Sequence, residues 1–238
     1  MNVIRRNIPN FITCLNVLSG SVAIILAFTA DDPAYAVPAW IWASIAIGVA
    51  AVADFLDGFT ARLLNARSEI GKELDSLSDL VSFGVAPAMI LFTLLDADAT
   101  LPAWLKWGAL LIPALGALRL ARFNVDTRQT SSFIGLPIPA NALFWIGFAA
   151  VFSSFPSWGW LHSAWVILPL IFIEAWLMVS PIPLFSLKFH SFGWKGNEFR
   201  WTLIICSAIL LWLLGLQGLI PIILLYIILS LFAPKNPH

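Results

Sequence analysis

Between Asp54 and Asp79, four aspartates interrupt sequence that is otherwise strongly apolar. The stretch reads Asp-Phe-Leu-Asp-Gly-Phe-Thr-Ala-Arg, then eight residues, then Gly-Lys-Glu-Leu-Asp-Ser-Leu-Ser-Asp. On a helix, Asp54, Asp57, Gly58 and Ala61 fall at i, i+3, i+4 and i+7, which is one face. Gly71, Asp75 and Asp79 recur at i+4 on a second face, joined by Ser78 and Ser82. A turn near residues 65–68 makes the two helices an antiparallel hairpin. Positions 54 and 79 sum to nearly the same value as 57 and 75, so Asp54 is expected to face Asp79 and Asp57 to face Asp75.

Such a cluster is costly in apolar surroundings. One aspartate at the centre of a membrane helix costs ~2.5–3.5 kcal/mol, so four cost roughly 10–14 kcal/mol. Arg62 can offset one charge. An all-oxygen donor set favours a hard divalent cation such as Mg²⁺ or Mn²⁺. The small residues Gly58, Ala61 and Gly71 leave room for a ligand beside the acids.

Composition supplies the setting. The chain has 238 residues, 60% of them hydrophobic and 11% charged, against about 25% charged in soluble domains. The expected fold class is an all-α polytopic bundle of about eight transmembrane helices, forming a single membrane-embedded domain over residues 1–238. A short polar lead over residues 1–10 precedes helices at about 11–28, 37–64, 72–95, 102–122, 140–155, 163–179, 200–214 and 219–232. Asp31, Asp32 and Pro33 end the first helix, and Pro87 is a candidate kink in the third. Residues 180–198 read as an amphipathic interfacial loop. Arg5 and Arg6 precede a first helix without a signal-peptide cleavage pattern, so that helix is expected to be retained. Zero net charge implies no nucleic-acid partner. Cys14 and Cys206 read as packing residues.

Eight spans put both termini on one side. That side collects Arg5, Arg6, Arg62, Arg67, Lys72, Arg119, Arg122, Arg128, Lys188, Lys195, Arg200 and Lys235, and the other receives only Lys106. The asymmetry predicts cytoplasmic termini and a cytoplasmic acidic hairpin. Trp40, Trp42, Trp104, Trp107, Trp158, Trp160 and Trp165 gather at the opposite interface, where indoles anchor.

The spacing D-x2-D-G-x2-A-R-x8-G-x3-D-x3-D resembles the signature of the CDP-alcohol phosphatidyltransferases, with every position present: Asp54, Asp57, Gly58, Ala61, Arg62, Gly71, Asp75 and Asp79. The resemblance implies transfer of the phosphatidyl group of a CDP-linked lipid to an alcohol, with release of CMP. It implies that Asp54, Asp57 and Asp75 hold metal, and that Asp79 is the base and also touches a metal. By the same resemblance Arg62 contacts phosphate, and Gly58, Ala61 and Gly71 line the nucleotide pocket, with Asn10 and Thr13 as further CDP-lipid contacts. The catalytic core then spans about 11–180, with additional helices at about 200–232, in the cell (inner) membrane and as a possible homodimer.

Further stretches are similar to the phosphatidylserine-forming branch of that family: Asn7 to Asn10 with Thr13 and Asn16, Leu74 to Pro87, Arg119 to Asn124, and Phe133 to Pro139. They imply CDP-diacylglycerol as donor and L-serine as acceptor. Arg119 and Arg122, at i and i+3, are candidates to clamp a carboxylate, and Asn124 or Asp126 to meet an ammonium group. Glycerol 3-phosphate, inositol phosphate and choline are the alternatives within the family. A cation transporter is the alternative outside it, although Arg62 is unwelcome beside a cation path. Asn10, Thr13 and Asn16 serve equally well as supports of the acidic hairpin or in ordinary helix packing. Glu174, a lone acid in an apolar stretch, has no visible partner and stays outside the candidate site.

Overall fold

Helical periodicity dominates the computed structural model, which describes residues 3–29, 37–66, 68–125, 132–187 and 193–233. Expectations resting on Asp31, Asp32, Pro33, Arg67, Asp126, Arg128, Lys188 and Lys235 lie outside the described residues, as do those on the side chains of Arg5 and Arg6. The elements are α1 (Val3–Ala27), α2 (Ala39–Leu63), α3 (Glu69–Asp79), a π-helical turn (Leu80–Val85) and α4 (Ala86–Ala97). A 3₁₀ turn (Leu105–Leu110), α5 (Leu111–Val125), β1 (Ser132–Ile134), α6 (Ile138–Ser154), α7 (Ala164–Val179) and β2 (Pro183–Phe185) follow. The chain ends in α8 (Glu198–Leu214), a second 3₁₀ turn (Gly215–Gly218) and α9 (Leu219–Phe232).

Five stretches are long and apolar enough to cross a membrane: Asn7–Ala27, Ala39–Leu63, Glu69–Ala97, Leu105–Val125 and Glu198–Phe232. Helices α6 and α7 are apolar but shorter. The protein is therefore an all-α, multi-pass membrane bundle. Its outward faces carry Phe11, Leu18, Ile25, Val52, Phe55 and other exposed apolar side chains, as lipid-facing surfaces do. The last stretch is not one rod. Gly215 has φ +56, and a Cβ on Gly218 would lie 2.6 Å from the Leu210 carbonyl oxygen. The chain folds back there, and α8 packs against α9.

Helix α6 is the packing centre. It is apolar on every side and almost wholly buried, the pattern of a helix surrounded by others. Its Trp145 meets Phe144 and Phe148 edge to face, and the indole N–H donates to Asn141 Oδ1 at 3.2 Å.

Several expectations need correcting. The polar lead is helical, because α1 begins at Val3. Pro9 forfeits a backbone bond, but it is buried where α1 packs on its neighbours. Helix α3 starts at Glu69 rather than near Lys72, because the Ser68 hydroxyl caps it by accepting from the Gly71 N–H at 3.0 Å. Pro87 does not simply kink the third helix. The π turn immediately precedes it, and the Ala86 N–H reaches back to the Val81 carbonyl. The fourth helix opens with the 3₁₀ turn instead of running from Pro102.

The helical bundle also carries one small two-stranded sheet. Strands β1 and β2 pair antiparallel, with Phe133 opposite Leu184. Three-residue strands flanked by prolines are too short to show periodicity. The pair is held down by α9, where the Tyr226 hydroxyl donates to the Phe185 carbonyl at 3.0 Å. Part of the supposed interfacial loop is thus structured, and Leu184 is buried. Gly135 follows β1 with φ +78, and a Cβ there would lie 2.3 Å from the Met178 carbonyl oxygen.

Candidate metal centre and its cleft

Helix α1 organises the acidic residues more than their own hairpin does. It packs along α2 and against α3, the π turn and α4, whereas direct contact between α2 and α3 is slight. The two acidic helices splay, and their carboxylates project into the gap. Ligand oxygens of Asp54, Asp57 and Asp75 lie within 4.8 Å of one another. Asp54 is also within hydrogen-bonding reach of Asp79. The expected cross-hairpin faces thus come together, with Asp54 touching both acids of α3.

This donor set fits a divalent cation. Three carboxylates from two helices converge, Asp57 is 5% exposed, and its Oδ2 is buried without a hydrogen-bond partner. Among the described residues none of the four aspartates forms a salt bridge. Arg62, expected to offset a charge, is exposed, and its Nε donates to the Gly58 carbonyl at 2.9 Å.

A cleft of about 710 Å³ opens beside the carboxylates. Asn10, Thr13, Asp57, Gly58, Ala61, Arg62, Gly71 and Asp75 line it, together with Pro9, Ala66, Ser68, Glu69 and Lys72, which the sequence reading did not single out. Gly58 faces open space, and a Cβ there would meet nothing within 4 Å. Gly71 differs: a Cβ there would lie 3.1 Å from both Asn10 Oδ1 and Ser68 Oγ. Its small size lets Asn10 of α1 approach α3 closely at the edge of the cleft. Asn10 bonds Asn7 at 3.3 Å, and the Thr13 hydroxyl donates to the Pro9 carbonyl at 3.0 Å.

The expected acceptor residues have different surroundings. Arg119 is 7% exposed, with its guanidinium over Phe123 and Phe133, 5.2 and 6.0 Å from the ring centroids. It lies within electrostatic range of Asp79. Arg122 is exposed, and its Nη1 donates to the Val179 carbonyl at 3.3 Å. Asn124 ties α5 to α3. Its side chain donates to Ser76 Oγ at 2.9 Å, and its carbonyl accepts from Lys72 Nζ at 2.7 Å. Glu174 is buried, and its Oε2 has no hydrogen-bond partner.

Residues 6–185 match the family described as CDP-alcohol phosphatidyltransferase. The chain belongs to that family. Three relatives carry the name CDP-diacylglycerol–serine O-phosphatidyltransferase. That of Mycobacterium leprae is 36% identical over 184 residues, covering 74% of this chain and 57% of the relative. That of Methanocaldococcus jannaschii is 39% identical over 149 residues, covering 62% and 63%. That of Mycobacterium bovis is 34% identical over 213 residues, covering 84% and 69%. The first two alignments therefore span less than two thirds of the relatives' own length. The family match includes every acidic residue of the cluster and stops short of α8 and α9.

Proposed function

We propose that this protein transfers the phosphatidyl group of CDP-diacylglycerol to L-serine, forming phosphatidylserine and CMP. The observation that carries the reading is the convergence of Asp54, Asp57 and Asp75 beside a cleft with a glycine wall and basic side chains. The names of the serine-using relatives support serine over the other alcohols of the family.

Asp54, Asp57 and Asp75 would hold Mg²⁺ or Mn²⁺, with Asp79 at their edge. A divalent cation supplies charge neutralisation of the pyrophosphate and of the departing CMP. The remaining chemistry falls to the chain. Arg62 and Lys72 attract the donor's phosphates to the cleft. Gly58 and Ala61 let the nucleotide approach the α2 backbone, and Asn10 and Thr13 border it from α1. Asp79 accepts the proton of the serine hydroxyl as that oxygen attacks the phosphorus bearing the diacylglycerol. The new P–O bond forms while the pyrophosphate P–O bond to CMP breaks. Asp79 then returns its proton to solvent. Arg119, buried within electrostatic range of Asp79, is the favoured partner of the serine carboxylate. Arg122 and Asn124 play smaller parts, since both are engaged elsewhere.

The site belongs on the cytoplasmic side, as the distribution of lysine and arginine requires. Eight spans with both termini cytoplasmic follow if α6, α7, α8 and α9 each cross. The shorter helices then match the ~30 Å core by local thinning or snorkelling. The catalytic core occupies about residues 11–180, the C-terminal pair packs on it, and the chain sits in the inner membrane as a homodimer.

The test supplies proteoliposomes containing the protein with CDP-diacylglycerol, Mn²⁺ or Mg²⁺, and either serine or glycerol 3-phosphate. The lipid product is identified by mass spectrometry. Serine-dependent phosphatidylserine and stoichiometric CMP are expected. Product with glycerol 3-phosphate and none with serine would reassign the acceptor and leave the metal centre in place.

A further inference from the structure

Helix α1 is fixed to the acidic side of the bundle at two levels, and Asn16 belongs to both. Its backbone carbonyl accepts from the Ser82 hydroxyl at 2.9 Å. One turn earlier, the Thr13 carbonyl accepts from the Ser78 hydroxyl at 3.3 Å. One turn later, Gly20 lies so close to the π turn that a Cβ would sit 2.2 Å from Ser82 Oγ. These contacts bracket Asn16 and hold its side chain at one place, 0% exposed. There its Nδ2 donates to Asp79 Oδ1 at 3.4 Å. Catalytic hydrogen bonds are often this long before substrate binds.

The other end of the amide makes the arrangement informative. Asn16 Oδ1 is buried and has no hydrogen-bond partner. An orphaned buried acceptor is a net cost, and leucine, of the same branching though larger, would avoid it. Packing alone therefore disfavours asparagine here. The amide cannot turn over to relieve the orphan, because its oxygen would then meet the Asp79 carboxylate. What asparagine offers that leucine does not is the donor to Asp79.

We infer that Asn16 is a positioning residue for Asp79: its amide holds one carboxylate oxygen and so orients the acid to take the proton of the acceptor hydroxyl. The inference rests on the proposed role of Asp79 as base. Asn16 gains and loses no proton, and acts only by fixing the rotamer of the acid. Because the helix is held through backbone carbonyls, replacing the Asn16 side chain leaves the attachment of α1 intact.

The experiment is a double-mutant cycle on the full chain in proteoliposomes, using Asn16→Leu, Asp79→Asn and both. Asn16→Leu is expected to lower kcat roughly 10–100-fold, as loss of a supporting hydrogen bond does. KM for CDP-diacylglycerol and serine, Mn²⁺ affinity by paramagnetic resonance, and thermal midpoint are expected to stay near wild type. In the Asp79→Asn background the same change is expected to cost little further activity. Ser82→Ala serves as the structural contrast, lowering the thermal midpoint with kcat largely kept. If Asn16→Leu does not accumulate in the membrane, Asn16→Ser, too short to reach Asp79, is expected to give the same split. Equal losses in both backgrounds, or a loss confined to KM or to stability, would overturn the inference. An inactive Asp79→Asn beside an Asn16→Leu enzyme of normal kcat would remove this inference alone. Wild-type turnover by Asp79→Asn would remove the base assignment and the inference with it.

Discussion

The two ends of the bundle contain similar parts in opposite electrical states. Beyond α4, about 19 residues and therefore roughly 28 Å from Asp79 at ~1.5 Å per residue, a cleft of about 850 Å³ is lined by Asp98, Thr100, His162, Trp165 and apolar neighbours. Its acids are matched by the protein itself. Asp98 Oδ2 contacts His162 Nδ1 at 2.6 Å, Asp98 Oδ1 accepts from the Thr100 hydroxyl at 2.6 Å, and Asp96 pairs with Lys106. At the acidic hairpin, Asp57 and Asp75 line a cleft of about 710 Å³ with Asp54 and Asp79 close by, and among the described residues none of the four forms a salt bridge. Two nearby cations are committed to carbonyls, Arg62 to Gly58 and Lys72 to Asn124. At one end Asp98 and Asp96 each have an ion-pairing partner, while at the other the clustered carboxylates have none among the described residues and suit a bound cation. An acidic residue near a cleft is therefore not informative by itself. What marks a site is acidity the fold leaves uncompensated.

The sharpest test of this contrast is metal removal. Chelation with EDTA is expected to abolish transfer, and Mg²⁺ or Mn²⁺ to restore it. Asp57→Asn and Asp75→Asn are each expected to weaken Mn²⁺ binding at least tenfold, about 1.4 kcal/mol, and to lower turnover by ~10²-fold or more. Asp96→Asn, at the other end, is expected to leave both unchanged. Full activity in metal-free protein would erase the distinction between the two clefts.

The next effect concerns how the acidic end is held open. Gly20→Ala is expected to push α1 from the π turn and destabilise the protein by about 1–3 kcal/mol, in the range for overpacking. The loss should appear as a lower thermal midpoint in detergent. Ser82→Gly in the same chain should recover part of it by removing the side-chain clash, although the Ser82 Cα would still lie 2.7 Å from the new methyl. A Gly20→Ala protein as stable as wild type would mean that α1 is free to shift.

These particulars also show what a sequence can disclose. The cluster of aspartates was legible because i+3 and i+4 spacing is fixed by helix geometry, and the apolar flanks announced both membrane and burial. Asn16 was legible only as a polar position in the first helix, and nothing in the sequence singled out Gly20. Their partners, Asp79 and Ser82, lie more than sixty residues away, and no local period encodes that distance. The π turn escaped because it depends on Pro87 being accommodated within a packed bundle. Strands β1 and β2 escaped because three residues carry no period. The different surroundings of Arg119 and Arg122 were not legible either: spacing put them on adjacent turns, but Arg119 is buried against Phe123 and Phe133 while Arg122 is exposed.

The smallest expected effect lies at the compensated end and follows from its completeness. Burial by itself would raise the Asp98 pKa, but hydrogen bonds from Thr100 and His162 outweigh it and hold the carboxyl below its ordinary value of 3.8. A group whose folded pKa is depressed contributes stability above its unfolded value and loses it as pH falls through the folded one. The contribution of Asp98 is therefore present at neutral pH and disappears below about 3.8. Asp98→Asn removes the charge from both contacts while keeping the shape. It is expected to cost about 1 kcal/mol at pH 7, the scale of a net hydrogen bond near the surface, or roughly 2–4 °C in thermal midpoint for a chain of this size. The difference from wild type should shrink as pH falls below 3.8 and through the depressed pKa of the folded protein. Turnover and Mn²⁺ affinity should not change, because the bonds of Asp98 lie wholly within its own end of the bundle. A variant that lost metal binding would show that the two ends communicate, and a stability difference that grew as pH fell would show that Asp98 is protonated in the folded protein.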